Sequence, residues 1–332
     1  MNIEMITISV LWTFLFIYVI VAAIEFGIGF FAYYGRATGK DTGTRRLTKY
    51  FESYLPHLTN FFLVFFIIGL IGLYPEIWSY FTSALFIPSI VVILLFLIRI
   101  GIHTLYIKGE KDGWFLLFAY GISGLLIPAA LATVMTISEG GFIRHGSSGM
   151  NLLAAKLFLS PYSWSVVFLA MVSVLFISAT FLIYYWRRAE NKEAEKTVRE
   201  FALLWSIPTL IASMLVIVSL RGHNVRHYNN ALDVWWLFGL SLLFFLGAVY
   251  LIAAEKRTGL AFTFVVLQFL FAFFGYGISH LPYILDPFIL VHSFNKEGMV
   301  LSLCFLFIAG ICLLFPVRFF IQTIISQESS DK

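Results

Sequence analysis

The chain has 332 residues, of which 60% are hydrophobic and 12% are charged, and its formal net charge is +4. Soluble domains are about 45–50% apolar and about 25% charged, so this composition excludes a water-soluble globule and requires lipid as the solvent. The basic residues are spread between apolar segments and form no single patch, which argues against nucleic acid as a partner.

Nine apolar segments are long enough to cross the hydrocarbon of a bilayer as helices, which takes about 20 residues. Each segment is apolar throughout, without the alternation of a barrel strand, so helices are favoured. The predicted fold is therefore an all-α integral membrane protein with nine transmembrane helices. The segments are 6–34, 58–77, 81–107, 113–137, 160–186, 199–220, 234–254, 258–283 and 298–324.

A Gly- and Ser-rich outer loop, 138–159, separates the first four segments from the remaining five. This loop is the natural division of a single membrane domain over 1–332, with four segments before it and five after it.

The distribution of Lys and Arg predicts the orientation in the membrane. The loops after the first, third, fifth and seventh segments hold fourteen basic residues, whereas the opposite loops hold five. Basic residues are enriched in cytoplasmic loops. We therefore expect a multi-pass protein with its N-terminus outside and its C-terminus in the cytoplasm.

Two charged residues lie within these apolar segments. Glu25 stands about 19 residues into the first segment and Arg99 about 18 residues into the third. Both segments run inward at ~1.5 Å per residue, so the two charges lie at similar depth. A charge there costs about 2.5–3.5 kcal/mol on insertion scales and faces protein or water. Glu25 is either a proton-handling or charge-compensating carboxylate or a structural contact, with or without Arg99, and Arg99 alternatively extends to the inner surface.

Two glycines, Gly27 and Gly29, follow Glu25 directly. Small residues allow a neighbouring helix to approach closely, so we interpret both as helix-packing positions. They also leave space beside a buried acid.

The stretch SYLPHLTN opens the second segment. Pro56 suits a first helical turn, where the missing N–H costs nothing. His57 follows at the inner surface, where a histidine can change its charge near neutral pH. His57 and Thr59 are candidates for a polar path that begins there, and the alternative is a helix start with an interfacial histidine.

We predict no metal site from four other histidines of the chain. His223 and His227 are spaced i, i+4, which can bind a metal on a helix, but no further ligand motif accompanies them. His280 and His103 are interpreted as interfacial histidines near the ends of their segments. The charged run 190–200 is predicted to be a solvated face.

These motifs resemble subunit II of the cytochrome bd quinol oxidases. That family has the motif G-F-D-x-G-x-G where this chain has Ala-Ile-Glu25-Phe-Gly27-Ile-Gly29. It has the motif P-H-W-D-G-N where this chain has Pro56-His57-Leu-Thr59-Asn-Phe. Arg99 resembles the arginine of a family R-P-V motif. Glu replaces Asp at position 25, Leu58-Thr59 replaces the Trp-Asp pair, and the proline after Arg99 is missing.

The resemblance implies two four-helix bundles, 1–137 and 160–283, and a ninth, peripheral helix at 298–324, in a bacterial or archaeal cell membrane. It also implies a heterodimer with a subunit I that carries haem b and haem d type cofactors and the quinol site. Small single-span subunits and membrane lipid are further expected partners, and this chain alone is expected to bind no haem. The complex would oxidise quinol, reduce dioxygen to water and take the protons for this reaction from the cytoplasm. Glu25, His57 and Thr59 would then be proton-transfer candidates, with Arg99 as a structural or charge-pair candidate.

Two other functions are open at this point. In a secondary transporter, Glu25 and Arg99 would be intramembrane coupling groups, although few Gly or Pro breaks occur in matching halves of the chain. The chain could also be a purely structural membrane subunit that stabilises its haem-bearing partner.

Overall fold

The computed structural model describes residues 3–40, 44–107, 114–146 and 149–293, so the predicted ninth segment lies outside the described residues. Eight long helices follow the order of the first eight apolar segments. The helices of the described part are α1 (Ile3–Thr38), α2 (Thr44–Leu73), α3 (Ile77–Phe81), α4 (Phe86–Ile107), α5 (Trp114–Ser138), α6 (Ala154–Leu159), α7 (Pro161–Arg188), α8 (Lys192–His223), α9 (Val225–Asp233), α10 (Trp235–Ala253) and α11 (Thr258–His280).

Seven of these helices are long and apolar enough to cross a membrane, and α2 adds a shorter apolar portion, Thr59–Leu73. The side chains on the outer faces of α4, α8 and α10 are largely exposed and apolar. Such faces require lipid or a protein partner, because water would make them costly. The prediction of an α-helical, multi-span membrane protein is confirmed.

The predicted start of the second segment is wrong. Helix α2 begins at Thr44, so Pro56 lies inside it and not in its first turn. Hydropathy marks the part of a helix that lipid covers, whereas the helix itself continues through the polar residues before it. The start of the third segment also differs from the prediction. Residue 81 is the last residue of the short helix α3, and the long helix α4 begins at Phe86.

Helix α7 lies at the centre of the bundle. It packs against α1, α5, α8 and α11, and α1 in turn packs against α2 and α5. An unbroken run of α7, residues 172–180, is buried and contains several small residues among its large ones. Small residues let neighbouring backbones approach closely where no water is available to drive association.

One end of the bundle, which we call the hairpin end, carries two short β-hairpins. Strands β1 (Ile143–Gly146) and β2 (Gly149–Leu152) pair antiparallel, as do β3 (Tyr283–Leu285) and β4 (Ile289–Leu290). The predicted outer loop at 138–159 therefore contains a hairpin and the helix α6. The segment predicted to end at 283 ends as a helix at His280, because Pro282 cannot continue it.

The charged run 190–200 is not a fully solvated face, as predicted from its sequence. Glu195 is 5% exposed and Arg199 is 9% exposed. Arg187 Nη1 lies 2.9 Å from Glu195 Oε1, and Arg199 pairs with both Glu195 and Glu255. This network ties the start of α8 to the ends of α7 and α10, opposite the hairpin end.

Candidate functional site

The buried carboxylate of Glu25 on α1 faces the guanidinium of Arg99 on α4. Arg99 Nε lies 3.6 Å from Glu25 Oε1, and the side chains are 5% and 7% exposed, respectively. The structure therefore brings together the two charges that the sequence places at similar depth. Because both side chains are buried, bulk solvent and salt screen their attraction only weakly.

Arg99 is held by several acceptors besides Glu25. Its Nη1 donates to the backbone oxygen of Tyr120 at 3.0 Å and to Ser123 Oγ at 3.3 Å, and its Nη2 lies 3.4 Å from the backbone oxygen of Glu25. The guanidinium also lies over the rings of Tyr120 and Phe26, at 4.1 and 4.9 Å from their centroids. Arg99 thus points into the bundle, and the alternative in which it extends to the inner membrane surface does not match its burial.

The glycines that follow Glu25 lie where neighbouring helices come closest. A Cβ on Gly27 would overlap Ser178 on α7, and a Cβ on Gly29 would lie 2.6 Å from the Tyr120 ring on α5. Gly124 on α5 similarly meets the backbone oxygen of Phe26 at 2.6 Å. These close approaches support the interpretation of Gly27 and Gly29 as helix-packing positions.

A cavity of about 40 Å³ lies beside the pair, and its lining includes Glu25, Asn60, Arg99, His103 and Tyr120. One water needs about 10–15 Å³ of such space, so the cavity has room for roughly three. Within the described part of the chain, Glu25 Oε2 is buried without a hydrogen-bond partner. The cavity therefore joins a carboxylate, an amide and an imidazole in one small polar space.

The other proton-transfer candidates lie on α2. Thr59 is fully buried, and its hydroxyl interacts with the Glu25 carboxylate. The side chain of His57 lies outside the described residues, so its candidacy stays a prediction. Sequence reasoning missed Asn60 and undervalued His103, which line the cavity. A signal for His103 was present, because it follows Arg99 by one helical turn.

The histidine pair His223 and His227 does not share a site. Helix α8 ends at His223, and α9 begins after Asn224, whose side chain accepts a hydrogen bond from the His227 backbone N–H. The His223 ring stacks between Phe142 and Tyr162. His227 instead contacts Glu139, and so does His280. The i, i+4 spacing does not bring the two rings together, because Asn224 ends one helix and begins the next between these residues.

Glu139, which no sequence motif indicated, is the centre of this second group. It is 1% exposed and accepts hydrogen bonds from Asn224, His227 and Tyr276. Burial raises the pKa of the Glu139 carboxyl, but the His227 hydrogen bond and the His280 contact and charge outweigh it and lower the pKa to about 2. Its partners come from distant parts of the chain, so no local pattern could reveal it.

The fold and the first site together define a multi-span membrane subunit with a buried ion pair beside a polar cavity. A family model described as "Cytochrome bd terminal oxidase subunit II" matches residues 3–324. The chain belongs to this family.

Two relatives agree with this assignment. The chain is 30% identical over 329 residues to the "Putative cytochrome bd menaquinol oxidase subunit II" of Bacillus subtilis (strain 168), covering 95% of this chain and 93% of the relative. It is 43% identical to a chain of the bd oxidase structure from Geobacillus thermodenitrificans, with a TM-score of 0.84, covering 98% of this chain and 99% of that chain.

Family membership fixes the activity of the complex. The chain is subunit II of a cytochrome bd-type terminal oxidase, a haem-containing oxidoreductase that pairs it with subunit I and that oxidises quinol and reduces dioxygen to water. The secondary-transporter alternative receives no support from these similarities.

Proposed function

We propose that this chain supplies protons to the oxygen-reducing site of its partner, and that Glu25 is the group that carries them. The observation behind this proposal is the asymmetry of the Glu25 carboxylate. Oε1 faces Arg99 at 3.6 Å, whereas Oε2 makes no hydrogen bond to the described residues. Glu25 also lines a cavity with room for water. A carboxylate with one uncommitted oxygen beside water can exchange a proton without first breaking a hydrogen bond.

Two opposing effects keep both forms of Glu25 accessible. Burial disfavours a charged carboxylate, and a nearby guanidinium favours it. Arg99 remains protonated at all relevant pH values, so its charge is a constant influence on Glu25. A group that gains and loses a proton in every catalytic cycle needs this kind of balance.

The proposed route enters from the cytoplasmic side near the candidate His57 and continues along α2 to Thr59. Thr59 can donate and accept in a chain of hydrogen bonds. Asn60 and His103 line the cavity that follows. This proposal retains all three predicted proton-transfer residues and adds Asn60 and His103 to them.

The remaining parts of the assembly follow the family. We propose that both haem types and the quinol site belong to subunit I, and that this chain alone binds no haem. The N-terminus faces outside, and a ninth, peripheral helix at 298–324 accompanies the two four-helix bundles. Small single-span subunits and lipid cover part of the apolar surface, and the quinol is of the menaquinol type by similarity to the Bacillus relative.

A purely structural role for Glu25 is the second candidate function. The network around Arg99 supports it, because the guanidinium contacts α1 and α5 as well as Glu25. A relay and a packing group respond differently to loss of the ionisable proton.

The test is the Glu25→Gln variant of the whole complex, which keeps the shape and hydrogen bonds of the side chain but cannot ionise. Arg99 then keeps only neutral acceptors, so haem content per protein should fall in part, and oxygen uptake is therefore normalised to haem. Oxygen uptake per haem should fall by about tenfold or more, the range of a lost proton-transfer group. Glu25→Asp should lose less activity, because it keeps the acid.

The matched control is Glu193→Gln, an identical change at an exposed residue in the first turn of α8. Its oxygen uptake should equal that of the natural complex. Full turnover in an assembled Glu25→Gln complex would leave only the structural role.

A further inference from the structure

A second buried cluster lies at the hairpin end, and the proposed proton route does not use it. Its members come from three separate elements: Glu139 follows α5, His227 lies in α9, and His280 ends α11. All three are buried, and their ligand-type atoms lie within 4.8 Å of one another. We call these three residues the Glu139 cluster.

The two histidines approach different oxygens of the same carboxylate. His227 Nδ1 lies 2.7 Å from Glu139 Oε1, and His280 Nδ1 lies 3.3 Å from Glu139 Oε2. In a tetrahedral zinc site the ligand atoms lie about 2.0–2.2 Å from the ion, hence roughly 3.3 Å from one another. Small movements of the side chains would bring the cluster to that geometry.

His280 supplies an independent sign that the cluster is incomplete. His280 is buried, with 8% of its surface exposed, yet neither of its ring nitrogens makes a hydrogen bond within the described part of the chain. A buried ring nitrogen without a partner is unfavourable. Its Nδ1 is directed towards the carboxylate, which is the position of an ion ligand.

The hydrogen bonds around His227 also prepare it as a ligand. Ser279 Oγ lies 2.7 Å from His227 Nε2 and holds the ring from the side away from the carboxylate. On the other side, a proton on Nδ1 joins the ring to Glu139 Oε1 at 2.7 Å. A metal ion would replace this proton, because the deprotonated Nδ1 offers a lone pair. Ser279 would then be the outer partner that fixes the orientation of a ligating histidine.

We propose that Glu139, His227 and His280 bind a divalent transition-metal ion, for which Zn²⁺ is the best match. Two imidazoles and one carboxylate are the ligand set of zinc sites that leave a fourth position open. The imidazoles disfavour Mg²⁺ and Ca²⁺, which prefer oxygen ligands. The ion would connect the end of α5 to α9 and α11, and so would stabilise the hairpin end of the assembled subunit.

The experiment measures zinc in the purified oxidase complex. The complex is treated with a chelator, then equilibrated with Zn²⁺ and freed of excess metal. Zinc per haem is measured by mass spectrometry, and the zinc ligands are measured by X-ray absorption. We expect about one additional zinc per complex, with nitrogen and oxygen ligands at about 2.0–2.2 Å.

Variants then locate the ion. His280→Gln should lose this zinc, and Ser279→Ala should weaken zinc binding by about 10- to 100-fold through the loss of the outer partner. His292→Gln is the matched control, because His292 is largely exposed and contacts only Glu4 within the described residues. It should bind zinc like the natural complex.

Three results would overturn the proposal: no zinc uptake by the natural complex, sulfur among the zinc ligands, or equal zinc in His280→Gln and the natural complex. The first would mean that a proton alone joins His227 to Glu139. If His280→Gln does not assemble, the zinc uptake and ligand set of the natural complex still decide. None of these readouts depends on oxidase activity, so failure here leaves the proton-relay proposal standing.

Discussion

Two of the buried carboxylates in the described part of the chain, Glu25 and Glu139, have opposite surroundings. Glu139 accepts hydrogen bonds from Asn224, His227 and Tyr276, at 2.9, 2.7 and 2.9 Å. Glu25 has an ion-pair distance of 3.6 Å to Arg99 and, within the described residues, one oxygen without a partner. The same functional group is thus fixed as an anion at one site and left able to exchange a proton at the other.

The partners of the two acids extend this contrast. Arg99 is a permanent cation with no lone pair to offer, so it can tune the charge of Glu25 but cannot help to bind a metal. The imidazoles beside Glu139 can each offer a lone pair. What a buried acid can do therefore depends on whether its neighbours can give up their protons.

Removing the cation beside Glu25 should have the largest effect on stability. Arg99→Leu leaves Glu25 buried without its partner, and breaking a buried pair from one side costs about 3–5 kcal/mol. We expect lower haem content and a lower midpoint in thermal unfolding of the complex. Because contacting residues are coupled, Glu25→Leu added to Arg99→Leu should restore part of the loss.

The control for this change is Arg187→Leu. The Arg187 side chain is 47% exposed and pairs with Glu195. Its partner Glu195 is buried but keeps its ion pair with Arg199, and an ion pair made by an exposed side chain contributes up to about 1 kcal/mol, so this variant should stay close to the natural complex. Equal losses in the two arginine variants would contradict the contrast between a buried and a half-exposed arginine.

On the Glu139 side, Tyr276→Phe removes one donor to the carboxylate. A hydrogen bond to a charged group contributes about 1.5–3 kcal/mol, compared with about 0.5–1.5 kcal/mol for one to a neutral group. Tyr74→Phe is the matched control, since its hydroxyl donates to the neutral backbone oxygen of Val291 at 3.0 Å. Thermal unfolding should show the larger loss for Tyr276→Phe, and the reverse order would mean that Glu139 is not held as an anion.

Packing beside Glu25 gives the smallest expected effect. Gly27→Ala places a methyl group where Ser178 lies, and overpacking costs about 1–3 kcal/mol. Gly101→Ala is the control, because a Cβ there meets nothing within 4 Å and alanine in a helix is better than glycine by about 0.5–1 kcal/mol. If thermal unfolding shows that both variants are neutral, α1 and α7 are not in close contact at Gly27.

Much of the fold could be predicted from the sequence because lipid imposes a simple rule on it. Every segment that crosses the bilayer must satisfy its own backbone, so continuous apolar runs become helices. Helix ends obey no such rule. Residues 44–55 are polar enough to lie outside the hydrocarbon and are still part of α2, which is why the prediction that Pro56 lies in a first helical turn was wrong.

The candidate site likewise has a part that the sequence predicts and a part that it does not. Counting residues along two spans that both run inward gives the depth of each residue in the membrane, and equal depth was enough to place Glu25 near Arg99. The Glu139 cluster could not be found, because Glu139 and His227 are 88 residues apart in the sequence and His280 lies in yet another helix. Only the packing of α5, α9 and α11 brings them together, and the prediction of no metal was made without that packing.

Infrared difference spectroscopy of the complex during a change of redox state can show whether Glu25 exchanges a proton, because it detects the protonation of individual carboxyl groups. We expect a carboxylic acid band that shifts in D₂O, disappears in Glu25→Gln and persists in Tyr276→Phe. If the natural complex gives no such band, or if Glu25→Gln retains it unchanged, Glu25 does not exchange protons during turnover and the account of this site is wrong.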